Sequence, residues 1–140
     1  MGKTARDVMT SPCECVGEKE TVGDAAKKLA KLEVGSMPIC GEDDRLKGML
    51  TDRDIVVKVV AEGKDPAGVM AGELGEGKPV TIGADDSSEE ALSVMSEHAV
   101  RRLPVIDGQK LVGIVSQADV AKALPEEKVG GMVEAISAAP

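Results

Sequence analysis

The chain has 140 residues, the length of one ordinary domain, and its 42% hydrophobic and 30% charged residues suit a folded protein with a core. A net charge of −8 and the absence of Phe, Trp and Tyr argue against nucleic-acid binding, which relies on basic side chains and on stacking of bases against aromatic rings. No apolar stretch approaches the roughly 20 residues that span a bilayer, and no signal-peptide pattern follows Met1, so we expect a cytoplasmic protein without membrane partners.

The first half of the chain predicts five elements in the order strand, helix, strand, strand, helix. An extended segment at 13–16 precedes a helix that opens with Thr21-Val22-Gly23-Asp24, a hydroxyl followed three residues later by an acid. Two short apolar runs at 36–40 and 47–50 are joined by turn-like residues and predict a hairpin. The apolar side of the closing helix is formed by Ile55, Val56, Val59 and Val60.

The second half of the chain repeats this order. Pro38 aligns with Pro104, 66 residues further on, and Gly48 aligns with Gly113, 65 residues further on, which indicates a turn shorter by one residue in the second copy. The corresponding segments are an extended stretch at 79–82, a capping pattern at 87–90, and apolar runs at 103–106 and 111–115.

The repeat divides the chain into a first domain at 1–62, a linker at 63–70, a second domain at 71–124 and a tail at 125–140. One copy of about 60 residues would have a marginal core, so we expect the two copies to pack together. In the tail, a helix is predicted from the spacing of Val129, Met132, Val133 and Ile136.

Each copy places a hydroxyl where an apolar strand ends and a helix begins, and an acid one helical turn later. These pairs are Thr51 with Asp54 and Ser116 with Asp119. A hydroxyl at a helix N-terminus can help to bind a phosphate, and a carboxylate one turn later can accept hydrogen bonds from the two hydroxyls of a ribose. The alternative is a plain capping box, which uses the same residues at the same spacing. Duplication of the whole pattern favours a nucleotide site.

The repeated segments Met37-Pro38-Ile39 with Gly48 to Asp54, and Leu103-Pro104-Val105 with Gly113 to Asp119, resemble the CBS domain. The resemblance extends to about Leu124 and is greatest to small stand-alone bacterial CBS pairs of the actinobacterial hypoxic-response type. It implies an α/β (α+β) fold in which two CBS domains pack as a disc with pseudo-twofold symmetry. It also implies two clefts of the kind that often bind AMP, ADP, ATP or S-adenosylmethionine.

The resemblance also implies roles for individual residues. Asp54 and Asp119 would hold the ribose, and Thr51 and Ser116 would help to hold the phosphate. Two further sets would have weaker roles. The adenine would be lined by the segments at Met37, Pro38, Leu103 and Pro104. Arg53 and Arg101 are candidate phosphate partners, with solvation or pairing to acids as the alternative, and Arg102 is a weaker candidate.

No arrangement of a nucleophile and a base is visible, so we expect a regulatory module and not an enzyme. It would sense adenine nucleotides as a homodimer, with no tightly bound cofactor, and would signal through its own assembly or through an unknown protein partner. The alternatives are a ligand-free protein-interaction module and a stress-response protein that is sensitive to redox state or metal.

The cysteines and the histidine bear on those alternatives. Cys13-x-Cys15 does not have the usual metal-ligand spacing, and His98 has no evident partner ligand, so no metal site is expected. The family topology would bring Cys15 near Cys40, which leaves a disulfide or redox switch open, although reduced thiols are expected in the cytosol.

Overall fold

The computed structural model describes residues 3–11, 13–75, 79–124 and 130. The tail pattern at Val129, Met132, Val133 and Ile136 lies outside these residues. The chain separates into two compact units: one is Glu14–Pro79, and the other comprises the described residues of Met1–Cys13 and of Val80–Pro140.

The described residues form six strands and five α-helices, with one π-helical and two 3₁₀ segments. In chain order they are α1 (Ala5–Val8), β1 (Val16–Gly17), α2 (Val22–Leu32), β2 (Ser36–Cys40), β3 (Leu46–Thr51), α3 (Asp52–Ile55), the π-helical segment Val56–Val60, the 3₁₀ segments Pro66–Gly68 and Ala71–Leu74, β4 (Ile82–Gly83), α4 (Ser88–His98), β5 (Arg102–Asp107), β6 (Lys110–Ser116) and α5 (Gln117–Ala123). The predicted order of strand, helix, strand, strand, helix is therefore confirmed in both copies.

Each unit contains one three-stranded sheet with the same topology. In the first sheet β1 is parallel to β2 and β2 is antiparallel to β3, with Val16 opposite Ile39 and Met37 opposite Leu50. The second sheet, β4-β5-β6, repeats this register with equivalent residues. In both sheets the register shifts within the central strand, between Ile39 and Cys40 and between Val105 and Ile106. The predicted hairpins are thus present.

In the closing helix of the first repeat, the buried side chains are not the full set that the sequence predicts. Val59 is fully buried in the core, but Val56 and Val60 are 56% and 61% exposed. The reason is the π-helical turn at Val56–Val60, whose i→i+5 hydrogen bonds change the angular position of each residue relative to an α-helix. Val57 is also exposed, so the helix presents three apolar side chains to solvent.

Each unit is completed by a segment that precedes the other repeat in the chain, which we call a strap. The strap at residues 4–10 pairs with the second repeat, where the Ala5 N–H donates to the Asp86 carbonyl at 2.7 Å. The strap at residues 70–75 pairs with the first repeat, where the Ala71 N–H donates to the Glu20 carbonyl at 2.8 Å. Ala5 and Ala71 are both fully buried and lie at equivalent positions.

The straps explain the glycine that opens each repeated motif. A Cβ at Gly113 would lie 2.9 Å from the Thr10 carbonyl oxygen of the strap, and a Cβ at Gly48 would lie 3.1 Å from the Gly75 Cα. Backbone atoms cannot move aside as a flexible side chain can. Glycine at position 113 is therefore required for the close approach of the strap to the sheet, and the fit at Gly48 is tight but less demanding.

Gly113→Ala is expected to destabilise the protein by about 1–3 kcal/mol, the range for inserting a methyl group into a packed site. Urea unfolding followed by circular dichroism measures this change. Gly68→Ala is the matched control, since a Cβ there meets no atom within 4 Å, and it should change the free energy of unfolding by less than about 0.5 kcal/mol. Equal effects of the two substitutions would contradict the role assigned to the strap.

Candidate functional site

The first motif links the end of β3 to the start of α3 through a reciprocal capping box. The Asp54 N–H donates to Thr51 Oγ1 at 3.0 Å, and the Thr51 N–H donates to Asp54 Oδ2 at 3.2 Å. Both residues are half-buried. The box holds the carboxylate in a fixed position and leaves Oδ1 as its second acceptor.

The second motif has the same geometry between β6 and α5. The Asp119 N–H donates to Ser116 Oγ at 3.2 Å, and the Ser116 N–H donates to Asp119 Oδ2 at 2.8 Å. These residues are also half-buried. The capping alternative drawn from the sequence is therefore realised at both motifs, and each carboxylate also keeps one oxygen outside the cap.

The helices α2 and α4 provide a comparison within the same chain. Thr21 Oγ1 and Ser87 Oγ accept from the third helical N–H at 3.1 and 3.0 Å. In these two helices only this hydroxyl half of the box is formed, and the acid at the third position does not reach back to the cap residue. The reciprocal box is thus formed in α3 and α5, and it is also formed in α1 by Thr4 and Asp7, so it is not confined to the two motifs.

The arginines lie near the motifs but on the surface. Arg53 is an exposed residue of α3, between Thr51 and Asp54. The Arg101 carbonyl accepts from the Gln117 N–H at 2.8 Å, which places this backbone beside the start of α5. Arg101 and Arg102 are both exposed.

The residues expected to line the adenine are buried. Met37 is 2% exposed and Leu103 is 0% exposed, and each belongs to the hydrophobic core of its own unit. Pro38 and Pro104 are buried beside them in β2 and β5. The structure thus presents the polar part of each motif to solvent and packs these apolar residues inside.

Lys58 is a residue of this site that the sequence reasoning missed. Its Nζ lies 3.6 Å from Asp54 Oδ1, and the two side chains are 31% and 26% exposed. The available signal was the spacing, since an acid followed four residues later by a lysine places the two side chains on one helical face. Lys58 also borders an open cavity of about 740 Å³, lined as well by Lys64, Val69 and Leu74.

Glu20 fixes the end of β1 in the first repeat. Its Oε2 accepts from the Gly17 N–H at 2.6 Å and from Lys28 Nζ at 2.9 Å. These interactions favour the ionised carboxylate and lower the pKa of Glu20. Lys28 Nζ also donates to the Cys15 carbonyl at 3.3 Å, so this group ties β1 to α2.

None of the cysteines is in a disulfide. Gly17 lies opposite Cys40 in the parallel pair, so Cys15 is offset from Cys40 by two residues along the strands. That offset and one strand spacing correspond to a Cα–Cα distance of about 8 Å. A disulfide rarely spans more than about 7 Å, so bonding these two residues would require the backbone to move.

His98 is exposed at the end of α4. Among residues 3–11, 13–75, 79–124 and 130, no group of three or more His, Cys, Asp or Glu side chains is arranged to hold a metal ion. Across the same residues, no helix is both long enough and apolar enough to cross a membrane.

The profile of the CBS domain family matches residues 5–61 and 71–126. Hypoxic response protein 1 of Mycobacterium tuberculosis is 51% identical over 133 residues, which cover 95% of this chain and 93% of that protein. A crystal structure of hypoxic response protein I with two coordinated zinc ions has a TM-score of 0.81 at 52% identity, over 88% of this chain and 100% of that one.

Two solved structures with similar folds contain adenosine ligands. The structure of CBSX2 in complex with AMP has a TM-score of 0.76 at 27% identity and covers 87% of this chain and 96% of that one. The CBS domain pair of protein MJ0100, in complex with 5′-methylthioadenosine and S-adenosyl-L-methionine, has a TM-score of 0.74 at 25% identity, over 87% of this chain and 95% of that one.

Proposed function

The chain belongs to the CBS domain family, and from this premise we propose that it is a regulatory module, not an enzyme, that binds an adenine nucleotide at its two motifs. The observation that carries the proposal is the duplicated geometry of Thr51 with Asp54 and of Ser116 with Asp119. In each pair a half-buried carboxylate is held by backbone hydrogen bonds with one oxygen outside the cap.

The chemistry of this geometry suits a nucleoside. A carboxylate is an acceptor for hydroxyl donors, and a charged acceptor forms stronger hydrogen bonds than a neutral one. Asp54 and Asp119 would therefore hold a ribose, and Thr51 and Ser116 would contact the phosphate. AMP in CBSX2 and S-adenosyl-L-methionine in the MJ0100 pair support this ligand class.

Arg53 and Arg101 are proposed as additional phosphate partners. Both are exposed, and each is close in the chain or through a hydrogen bond to one of the motifs. Met37 and Leu103 would contribute by supporting the strands behind the motif, since their side chains are buried in the core.

The proposal is tested by isothermal titration calorimetry of the reduced, metal-free protein against AMP, ADP, ATP and S-adenosylmethionine. Saturable binding of at least one of them is expected. Calorimetry suits this chain because it contains no aromatic residue to report binding by intrinsic fluorescence. A well-folded protein that binds none of the four would leave the motifs as helix caps and favour the ligand-free interaction module.

We also propose that the protein acts as a homodimer. The closing helix of the first repeat exposes three apolar side chains, Val56, Val57 and Val60, at which two copies of the acidic chain could meet. A second copy or a separate protein partner would then carry the signal. Light scattering checks the assembly, and a monomer at all concentrations would contradict it. The name of the Mycobacterium tuberculosis relative supports placing this signal in a stress response.

A further inference from the structure

The carboxylate of the first motif already has a cationic partner. Lys58 Nζ lies 3.6 Å from Asp54 Oδ1, the oxygen that remains after Oδ2 has accepted the Thr51 N–H. The two side chains are mostly covered, so solvent and salt screen the pair less than they screen a fully exposed one. A hydroxyl donor that approaches Asp54 must share Oδ1 with the ammonium group or displace it.

The second motif has the same carboxylate without this lysine. Asp119 Oδ2 accepts the Ser116 N–H, as Asp54 Oδ2 accepts the corresponding N–H in the first motif. Four residues after Asp119 the chain has Ala123, at the position that Lys58 occupies relative to Asp54. A methyl group cannot compete for a carboxylate oxygen, so this helical position leaves Asp119 Oδ1 to a ligand.

We propose that this difference makes the two motifs unequal sites. Asp119 is the tighter site for the ribose of an uncharged adenosine ligand, and Lys58 is the positioning residue that weakens the site at Asp54. The inference rests on the proposed function because it concerns the same carboxylates. It adds a specific order of filling, in which the second repeat binds before the first.

The size of the effect follows from the strength of such pairs. Ion pairs between an acid and a lysine one helical turn apart near the surface contribute little, so the expected difference in affinity is up to about fivefold. A phosphate on the ligand would obscure this difference in affinity, because a negatively charged ligand is itself attracted to Lys58 and to Arg53 or Arg101. The uncharged 5′-methylthioadenosine has the ribose and adenine without the phosphate and isolates the competition for the carboxylate.

The experiment is calorimetric titration of 5′-methylthioadenosine into two single-site proteins. Asp119→Ala leaves the first motif, and in this background Lys58→Met, which keeps the apolar stem and removes the charge, is expected to tighten binding by up to about fivefold. Asp54→Ala leaves the second motif, and in this background Ala123→Lys is expected to weaken binding by a similar factor. Thermal melts establish that each variant is folded.

The outcomes separate the inference from the proposed function. If the wild-type protein binds but Lys58→Met fails to tighten or to restore binding in the Asp119→Ala background, the inference is overturned and the proposed function stands. If Ala123→Lys has no effect in the Asp54→Ala background, the assigned competition is likewise wrong. If the wild-type protein binds none of 5′-methylthioadenosine, AMP, ADP, ATP and S-adenosylmethionine, the proposed function and the inference are both wrong.

Discussion

Replacing both Asp54 and Asp119 with alanine is expected to abolish nucleotide binding as measured by isothermal titration calorimetry. A hydrogen bond to a charged group contributes about 1.5–3 kcal/mol, so loss of even one such bond weakens each site by at least about tenfold. With both carboxylates removed, no charged acceptor remains at either motif for the ribose. The double variant should therefore show no saturable heat at ligand concentrations that saturate the wild-type protein.

The same carboxylates also cap α3 and α5, so stability and binding must be measured separately. Loss of an acid from the first turn of a helix costs about 0.3–1 kcal/mol, which thermal or urea unfolding detects. Asp→Asn at the two positions keeps an oxygen for the cap and removes the charge, so it should restore stability while binding stays weakened. Asp24→Ala is the control in α2, where the acid at the third position is not part of a reciprocal box, and it should bind normally. Binding that survives in the folded Asp54→Ala, Asp119→Ala protein would contradict the assignment of the site.

The sequence predicts the repeated elements because their signals are local. Alternating or helically spaced apolar residues and a hydroxyl before each helix give the order strand, helix, strand, strand, helix, and the alignment of Pro38 with Pro104 shows that the order is duplicated. The hydrogen bond from the third helical N–H to the hydroxyl, which forms at Thr51 and Ser116 and equally at Thr21 and Ser87, follows from the position of the hydroxyl before the helix. For these features, residues within one turn or one strand contain all the necessary information.

The straps could not be predicted in the same way. Ala5 packs on the second repeat and Ala71 packs on the first, which are contacts between distant parts of the chain, and a short segment with one buried alanine has no distinctive pattern. The glycines Gly48 and Gly113 were recognised as part of the motif, but their close contact with the straps became apparent only from the structure. The π-helical turn at Val56–Val60 is likewise not predicted by the sequence, since an amphipathic pattern predicts an ordinary α-helix.

The role of Lys58 could not be predicted from the sequence for a different reason. Its spacing from Asp54 was visible, but many surface acids in this chain have a lysine or arginine nearby, and spacing alone does not distinguish a pair at a binding carboxylate from a solvated one. The structure supplies the missing observations, which are the partial burial of both side chains and the identity of the oxygen that the ammonium group approaches. The burial of Met37 and Leu103 is similar, because an apolar residue beside a motif suits a core and a ligand cleft equally well.

Truncating the core residues Met37 and Leu103 is expected to cause the largest losses of stability. Met37 and Leu103 occupy equivalent positions at the centre of the two hydrophobic cores and have essentially no exposed surface. Met37→Ala and Leu103→Ala should each lower the free energy of unfolding by about 2–5 kcal/mol, from lost burial and from the cavity left behind. That is a large part of the roughly 5–15 kcal/mol that stabilises a typical protein of this size.

The stability losses of Met37→Ala and Leu103→Ala also test whether the two cores are independent. The two clusters share no residue, so the effects in a double variant should add to within about 0.5 kcal/mol. Leu32→Ala is the matched control, because it removes apolar atoms from an exposed side chain at the end of α2, outside the proposed dimer surface, and it should cost clearly less than either core substitution. Urea unfolding followed by circular dichroism measures all four variants. A cost for Leu103→Ala no greater than that for Leu32→Ala would show that Leu103 is not packed in a core, and would return it to the set of side chains available to an adenine ring.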